Sequence, residues 1–179
     1  IVNQEKVDTL VRRLYSQHLY GDHYYAGRTE LNHYDEVSSE DLSEFYSKYY
    51  TASNCKIIVS GKFDDTLIEA LNKSIGKMPI GIKSDLNHPV SRSDNGKYFH
   101  EKKGAIQSGI RVGKILDVKY GSDEYFKLKI LNTVLGGYFG SRLMSNIRED
   151  KGYTYGIGSN ISFMKNACTF NIATEVGAD

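Results

Sequence analysis

The order of helical and strand-like patterns is the strongest constraint on how this 179-residue chain folds. Apolar residues first recur at intervals of three and four, as on an amphipathic helix, and later at every second position, as in a half-buried strand. The order is helix, helix, strand, helix, then strand, strand, helix, helix, strand, strand. A doubly wound parallel sheet needs strict alternation, which this order lacks. We therefore expect an α+β fold, with helices packed on one face of a mainly antiparallel sheet.

Three helices are predicted in the first half of the chain. The spacing of apolar residues predicts a helix over 3–19. Ser38 is a typical N-cap for the second helix, with Asp41 at its third position. Asp64 or Asp65 is the predicted N-cap of the third helix.

The segments between these helices are predicted from composition. Residues 20–36 lack a period and read as a long loop. The β-branched run at 55–60 predicts a buried strand. Both prolines and many small polar residues fall in 79–96, which we interpret as a linker between a first unit, 1–78, and a second, 97–179.

Strand-like alternation dominates the second half of the chain. A half-buried strand is predicted at 106–112, preceded by an extended stretch at 97–102. Ser122 is a predicted helix cap, and a second helix begins near Gly140 or Ser141. The remaining predicted strands cover 153–163 and 169–176.

Composition excludes several classes of protein. With 23 Lys and Arg against 22 Asp and Glu, the net charge of +1 gives no broad positive field for nucleic-acid binding. The two cysteines, Cys55 and Cys168, are too few for a disulfide scaffold or a cysteine-rich zinc module. No stretch approaches the ~20 apolar residues of a membrane span. Because the chain begins at Ile1, we expect a piece of a longer polypeptide.

The five histidines do not show a zinc-binding spacing such as His-x-x-Glu-His. His18, His23 and His33 could converge on a metal only if the loop between them folded back. A free-standing metal hydrolase that uses these histidines therefore stays an alternative. The competing interpretation is that they are solvated loop residues.

Two neighbouring runs carry residues with useful chemistry. The glycine-rich run 136–142 leads into a helix N-terminus, which can receive an anion or a carbonyl, although a flexible connection has the same composition. It follows a helix and not a strand, which argues against a nucleotide site. Arg148 and Tyr155 supply a forked donor and a hydroxyl able to hold a peptide carbonyl or an oxyanion. A surface cation and sheet-filling tyrosines are the alternative.

Four segments, taken in order, resemble the insulinase or pitrilysin family of zinc peptidases and its mitochondrial processing peptidase relatives. They are 20–28, 39–50, 54–64 and 135–155. The similarity covers nearly the whole chain and is closest to the family's C-terminal, noncatalytic part. It implies a processing-peptidase-like metallohydrolase fold, in which 1–78 ends one peptidase-like unit and 97–179 begins the next.

The resemblance also implies that two halves enclose an unfolded peptide and that each half has a different role. One half holds zinc through an inverted His-x-x-Glu-His helix and a distal glutamate. The other contributes an Arg/Tyr pair, here Arg148 and Tyr155, and a glycine-rich stretch. Tyr153 is the alternative hydroxyl. The glycines expected to contact substrate are Gly136, Gly137 and Gly140.

We therefore expect a substrate-gripping part of a zinc metalloendopeptidase that is inactive alone and holds no metal or catalytic residue itself. Its partners would be a zinc-bearing half, in the same chain or a second subunit, and a peptide substrate. The alternative is an inactive scaffold or protein-binding module of the same fold. The loop at 23–28 departs from the family's usual His-Pro-Tyr-Gly, so we assign it no function. A homodimer through an open sheet edge is also expected. The compartment is left open.

Overall fold

The computed structural model describes residues 6–27, 29–91 and 96–177. The first residues of the helix predicted over 3–19 lie outside this range, as do Arg28 of the first family-like segment and 92–95 of the predicted linker. The helices and strands are α1 (Val7–Tyr20), α2 (Leu31–Glu36), α3 (Ser39–Tyr49), α4 (Asp65–Lys73), β1 (Gln107–Leu116), α5 (Asp123–Asn132), β2 (Ile157–Phe163) and β3 (Cys168–Gly177). Wider π-helical turns cover Thr133–Gly137 and Met144–Asp150.

The chain forms two compact units. The first lies within Ile1–Arg28 and Asn87–Asp179, and the second is Thr29–Leu86. Within the second unit, the amide of Ala52 donates to the carbonyl of Pro79 at 2.8 Å, so the start of the predicted linker is held by this unit. The proposed division of the chain at 79–96 stays a prediction.

The sheet of the first unit has three strands in the order β1-β3-β2, and both pairings are antiparallel. β1 pairs with β3 from Gln107 opposite Gly177 to Leu116 opposite Cys168. β2 pairs with the other edge of β3 and ends with Phe163 opposite Cys168. Helices and an antiparallel sheet confirm the predicted α+β class.

Helix α1 packs closely on β1 because two glycines of β1 leave room for its side chains. A Cβ added to Gly109 would lie 2.7 Å from Cγ1 of Val11, and one added to Gly113 would collide with the phenol oxygen of Tyr15. Between these glycines, the guanidinium of Arg111 pairs with the carboxylate of Asp8. The glycines and the ion pair together fix α1 over the sheet.

Helix α5 packs beside β2 through aromatic rings. The ring centroids of Tyr125 and Phe163 are 4.6 Å apart in an edge-to-face arrangement, which is a favourable geometry for an aromatic pair. Ser122 caps this helix, as predicted, by accepting a hydrogen bond from the amide of Tyr125 at 3.2 Å.

The predicted caps of the second unit are confirmed. The hydroxyl of Ser38 accepts from the amide of Asp41 at 3.1 Å, and the Asp41 carboxylate accepts from the amide of Ser38 at 2.9 Å. The hydroxyl of Ser38 also donates to the Asp41 carboxylate at 2.6 Å, and this bond, followed by the one from the Ser38 amide, lowers the pKa of Asp41. Asp64, and not Asp65, is the N-cap of α4, since its carboxylate accepts from the amide of Thr66 at 3.2 Å.

The strand predicted at 55–60 is wrong. The segment forms no ladder among the described residues, and the side chains of Ile57 and Ile58 are 49% and 90% exposed. A β-branched run becomes a strand only when a neighbouring backbone pairs with it, and no described segment does so. The long loop predicted at 20–36 also contains a short helix, α2, which His33 and Glu30 cap reciprocally.

Candidate peptide-contacting site

The π-helical segment Met144–Asp150 and the turn after it position the predicted Arg/Tyr pair. The amide of Gly152 donates to the carbonyl of Arg148 at 3.0 Å, and that of Tyr153 donates to Ile147 at 3.1 Å. Gly152 has a φ of 66°, a left-handed conformation that favours glycine. The helix therefore ends in a tight turn, and Arg148 lies on its last part.

The side chain of Arg148 lies at the surface and is 31% exposed. Its Nη1 is 2.9 Å from Oε1 of Glu149, which makes an ion pair, but the angles do not make a directed hydrogen bond. Its Cζ lies 4.7 Å from the ring centroid of Phe139, a cation–π distance. The guanidinium is therefore partly exposed, although its Nη1 atom is buried and makes no directed hydrogen bond among the described residues.

Tyr153 and Tyr155 point outward on either side of an inward-facing threonine. The two phenols are 62% and 93% exposed. Between them, the hydroxyl of Thr154 accepts from the amide of Gly156 at 3.1 Å and lies 2.9 Å from the hydroxyl of Thr174 in β3. Both tyrosines precede β2, which begins at Ile157, so the strand predicted from 153 starts later than expected. The turn after Gly152 explains the delay.

A shallow groove of about 290 Å³ opens beside Tyr155. Its lining includes Gln107 and Arg111 of β1 and Glu175 of β3. The guanidinium of Arg111 within the groove already pairs with Asp8.

The glycine-rich stretch divides into a buried and an exposed part. Gly136 is buried against β2, where an added Cβ would lie 2.6 Å from the amide nitrogen of Ser159. Gly137 and Gly140 are exposed. Next to them, Ser141 is 1% exposed. Gly136 thus lets the stretch approach the sheet, and the two other glycines face solvent.

Sequence reasoning missed Phe139 and Thr154. Phe139 lies nine residues before Arg148, a spacing that no single regular helix or strand brings together. Thr154 lies between two tyrosines in an alternating run. This alternation, which places Thr154 on the opposite face from the tyrosines, was the one sequence signal for its inward position.

His18 and His23 make local contacts. The ring of His18 stacks on that of Tyr98, with centroids 3.4 Å apart. Nδ1 of His23 accepts from the amide of Tyr25 at 3.1 Å, and its Nε2 lies 2.8 Å from the carbonyl oxygen of His88.

His33 belongs to α2 in the second unit, where its Nδ1 accepts from the amide of Glu30 at 3.1 Å. Across 6–27, 29–91 and 96–177, no three His, Cys, Asp or Glu side chains are grouped so that they could hold a metal ion. In the same residues, none of the helices combines the length and the apolar character needed to cross a bilayer.

Comparison with known proteins agrees with this arrangement. Residues 36–179 match the peptidase M16 inactive domain family. The crystal structure of a peptidase M16 inactive domain from Pseudomonas fluorescens superimposes with a TM-score of 0.81 at 24% identity, over 99% of this chain and 43% of that one. At this identity the likeness shows the fold.

Two curated relatives are similar in sequence. The uncharacterized zinc protease YmxG of Bacillus subtilis is 29% identical over 98% of this chain and 43% of its own length. The non-peptidase homolog YmxG of Helicobacter pylori is 28% identical over 74% of this chain and 31% of its own length. The chain spans less than half the length of these relatives. The expected resemblance to the noncatalytic part of insulinase-type peptidases is confirmed, and the chain belongs to the peptidase M16 inactive domain family.

Proposed function

We propose that this chain is the noncatalytic, peptide-gripping part of a zinc metalloendopeptidase that cleaves peptides or unfolded proteins inside a two-half chamber. The observation that carries the proposal is a pair of donors on one helix-turn segment, a partly exposed guanidinium and a fully exposed phenol. The guanidinium of Arg148 lies at the surface against Phe139, and the phenol of Tyr155 stands out from an anchored turn.

Zinc would be held by the partner half and would supply a Lewis acid and an activated water there. On this chain, Arg148 would donate N–H groups to a carbonyl of the peptide backbone. The hydroxyl of Tyr155 would donate to the oxygen that gains negative charge during attack. A well-placed donor of this kind contributes on the order of 2 to 4 kcal/mol to transition-state stabilisation.

The other predicted contacts are assigned supporting parts in the same proposal. Tyr153 is the alternative hydroxyl, because it is exposed on the same turn. Gly137 and Gly140 would let a peptide approach the backbone closely, since neither carries a side chain. Gly136 would hold the stretch against β2 and so set the position of both.

Reconstitution tests this function. The chain should cleave no peptide alone, and cleavage should appear when it is combined with its zinc-bearing half, in one polypeptide or as two subunits. Arg148→Ala and Tyr155→Phe should each lower kcat/KM about 30-fold or more, as expected for lost oxyanion donors. Tyr46→Phe, at an exposed phenol of α3, is the matched control. Unchanged rates in both site variants would overturn the proposal, and a loss in Tyr153→Phe instead of Tyr155→Phe would move the role to Tyr153.

The second candidate function is a scaffold or protein-binding module that has no proteolytic partner. It is favoured by the name of the Helicobacter pylori relative, a non-peptidase homolog. A His-x-x-Glu-His motif in the remainder of the gene would support the peptidase, and its absence from the whole genome neighbourhood would support the scaffold.

We also propose that the isolated chain dimerises through an open sheet edge. β1 and β2 flank β3, so each has one edge without a neighbouring strand in the described sheet. Light scattering of the chain alone should report a dimer, and addition of the zinc-bearing half should replace it with a heterodimer. A monomer at all concentrations would contradict this proposal.

A further inference from the structure

We infer that Phe139 is a positioning residue that fixes the plane of the Arg148 guanidinium. The inference rests on the proposed function, because it concerns the direction in which Arg148 presents its donors to a peptide. The inference places the glycine-rich stretch and the Arg/Tyr pair, which are separate runs in the sequence, in one peptide-contacting site.

The ring of Phe139 is the contact best suited to orient the guanidinium. Cζ of Arg148 lies 4.7 Å from the ring centroid. The ion pair with Glu149 joins adjacent residues and lacks the hydrogen-bond angles that would fix the direction of the fork. Nη1 is buried and makes no hydrogen bond in the described part of the chain. The ion pair alone therefore does not set the direction of the fork.

The backbone around Phe139 is fixed by the turn that follows it. The amide of Ser141 donates to the carbonyl of Tyr138 at 3.1 Å, and the amide of Ser145 donates to the carbonyl of Ser141 at 2.9 Å. Ser141 is 1% exposed, so the turn is anchored in the unit. The backbone that carries the Phe139 ring is therefore held in place beside Arg148.

Phe139 itself is 65% exposed, which is a poor position for a residue whose role is core packing. We therefore assign this exposed ring the role of contacting the Arg148 guanidinium. A guanidinium held against a ring face can still present the N–H groups of its other nitrogens to a carbonyl. Without the ring, Arg148 would sample more rotamers and would present its donors in the correct direction less often.

The first experiment measures orientation without any activity. In a proton–nitrogen NMR spectrum of the whole chain, the Arg148 Nε–H signal, assigned by its loss in Arg148→Lys, should show a ring-current shift. Phe139→Leu should move it to the position of exposed arginines, whereas Phe139→Tyr should retain the shift. An unmoved signal in Phe139→Leu would overturn the inference, whether or not the proposed function holds.

The second experiment measures the consequence for cleavage by the reconstituted peptidase. Phe139→Leu should lower kcat about three- to tenfold, with KM changed less than about twofold, and Phe139→Tyr should restore the rate. Phe99→Leu, at a 91% exposed ring, is the matched control. In an Arg148→Ala background, Phe139→Leu should cause no further loss, and an additive loss would contradict positioning. If Arg148→Ala has no effect of its own, the proposed function fails while the NMR result still decides the orientation.

Discussion

Gly113 of β1 lies so close to Tyr15 of α1 that a Cβ at position 113 would overlap the phenol oxygen and the carbonyl oxygen of Phe170. The neighbouring backbone cannot give way cheaply, because Phe170 belongs to the central strand β3. The close packing of α1 on the sheet therefore depends on this glycine.

Gly113→Ala should accordingly destabilise the chain by about 1–3 kcal/mol, as overpacking does in other proteins. The free energy of unfolding, measured in urea, checks this value. Gly177→Ala is the matched control, since an added Cβ there meets nothing within 4 Å. Equal stability of the Gly113 variant and the wild type would show that α1 does not lie on β1 as described.

Stability should fall in the alkaline range because of Tyr15. Burial raises the pKa of this phenol to about 12, with a further contribution from Tyr20. The unfolded chain loses the proton near pH ~10. Between these values the unfolded state binds fewer protons than the folded state, so its free energy falls relative to the folded state. The contribution is fully present below about pH 10 and is lost as the pH approaches 12.

Urea midpoints measured on both sides of pH ~10 test this prediction. Because lysines also titrate in this range, the midpoints of variants must be compared with that of the wild type. Tyr15→Phe should show a smaller fall in midpoint than the wild type. Tyr120→Phe, at a 78% exposed ring, should behave as the wild type. The same pH dependence in all three proteins would show that the Tyr15 phenol is solvated.

The two cysteines should react at different rates with a thiol reagent. Cys168 is 4% exposed and burial raises its pKa, whereas Cys55 is exposed. Since the thiolate is the reactive form, one thiol should react quickly and the other only on unfolding in urea. In Cys55→Ser the fast phase should disappear and only the slow phase should remain. Two fast thiols in the folded chain would contradict the burial of β3.

Thr154 should stabilise the turn that carries both tyrosines. Its hydroxyl contacts the amide of Gly156, the carbonyl of Glu175 and the hydroxyl of Thr174. Thr154→Val should cost about 1–3 kcal/mol in free energy of unfolding, since several hydrogen bonds to half-buried and exposed partners are lost. Thr154→Ser keeps the hydroxyl and should stay within about 1 kcal/mol of the wild type. Equal losses in the two variants would mean that the methyl group, and not the hydroxyl, matters.

Features with local causes were predictable from the sequence. Ser38 and Asp41 cap α3 through bonds between residues three apart, and the alternation around Ile110 marks β1 correctly. The irregular structure of the run at 55–60 was not predictable from the sequence, because a strand forms only where another backbone pairs with it. The π-helical widening at Met144–Asp150 also has no simple periodic signature.

The candidate site was predictable in part. The resemblance pointed to Arg148 and Tyr155, and the structure shows a partly exposed guanidinium and a fully exposed phenol. The contact between Arg148 and Phe139 was not predictable, because it depends on how a glycine-rich turn folds back beside a helix. Burial of Gly136 against Ser159 has the same origin in tertiary packing.

The affinity of the metal-free, reconstituted protein for a fluorescent unfolded peptide tests the central claim most directly, because binding is then separated from cleavage. Fluorescence anisotropy should give a Kd about five- to tenfold higher for Arg148→Ala than for the wild type, consistent with the loss of about 1 kcal/mol, the net value of a typical hydrogen bond. Tyr46→Phe should match the wild type. Equal Kd values for the wild type and for the combined Arg148→Ala and Tyr155→Phe variant would contradict the claim that this chain grips the peptide.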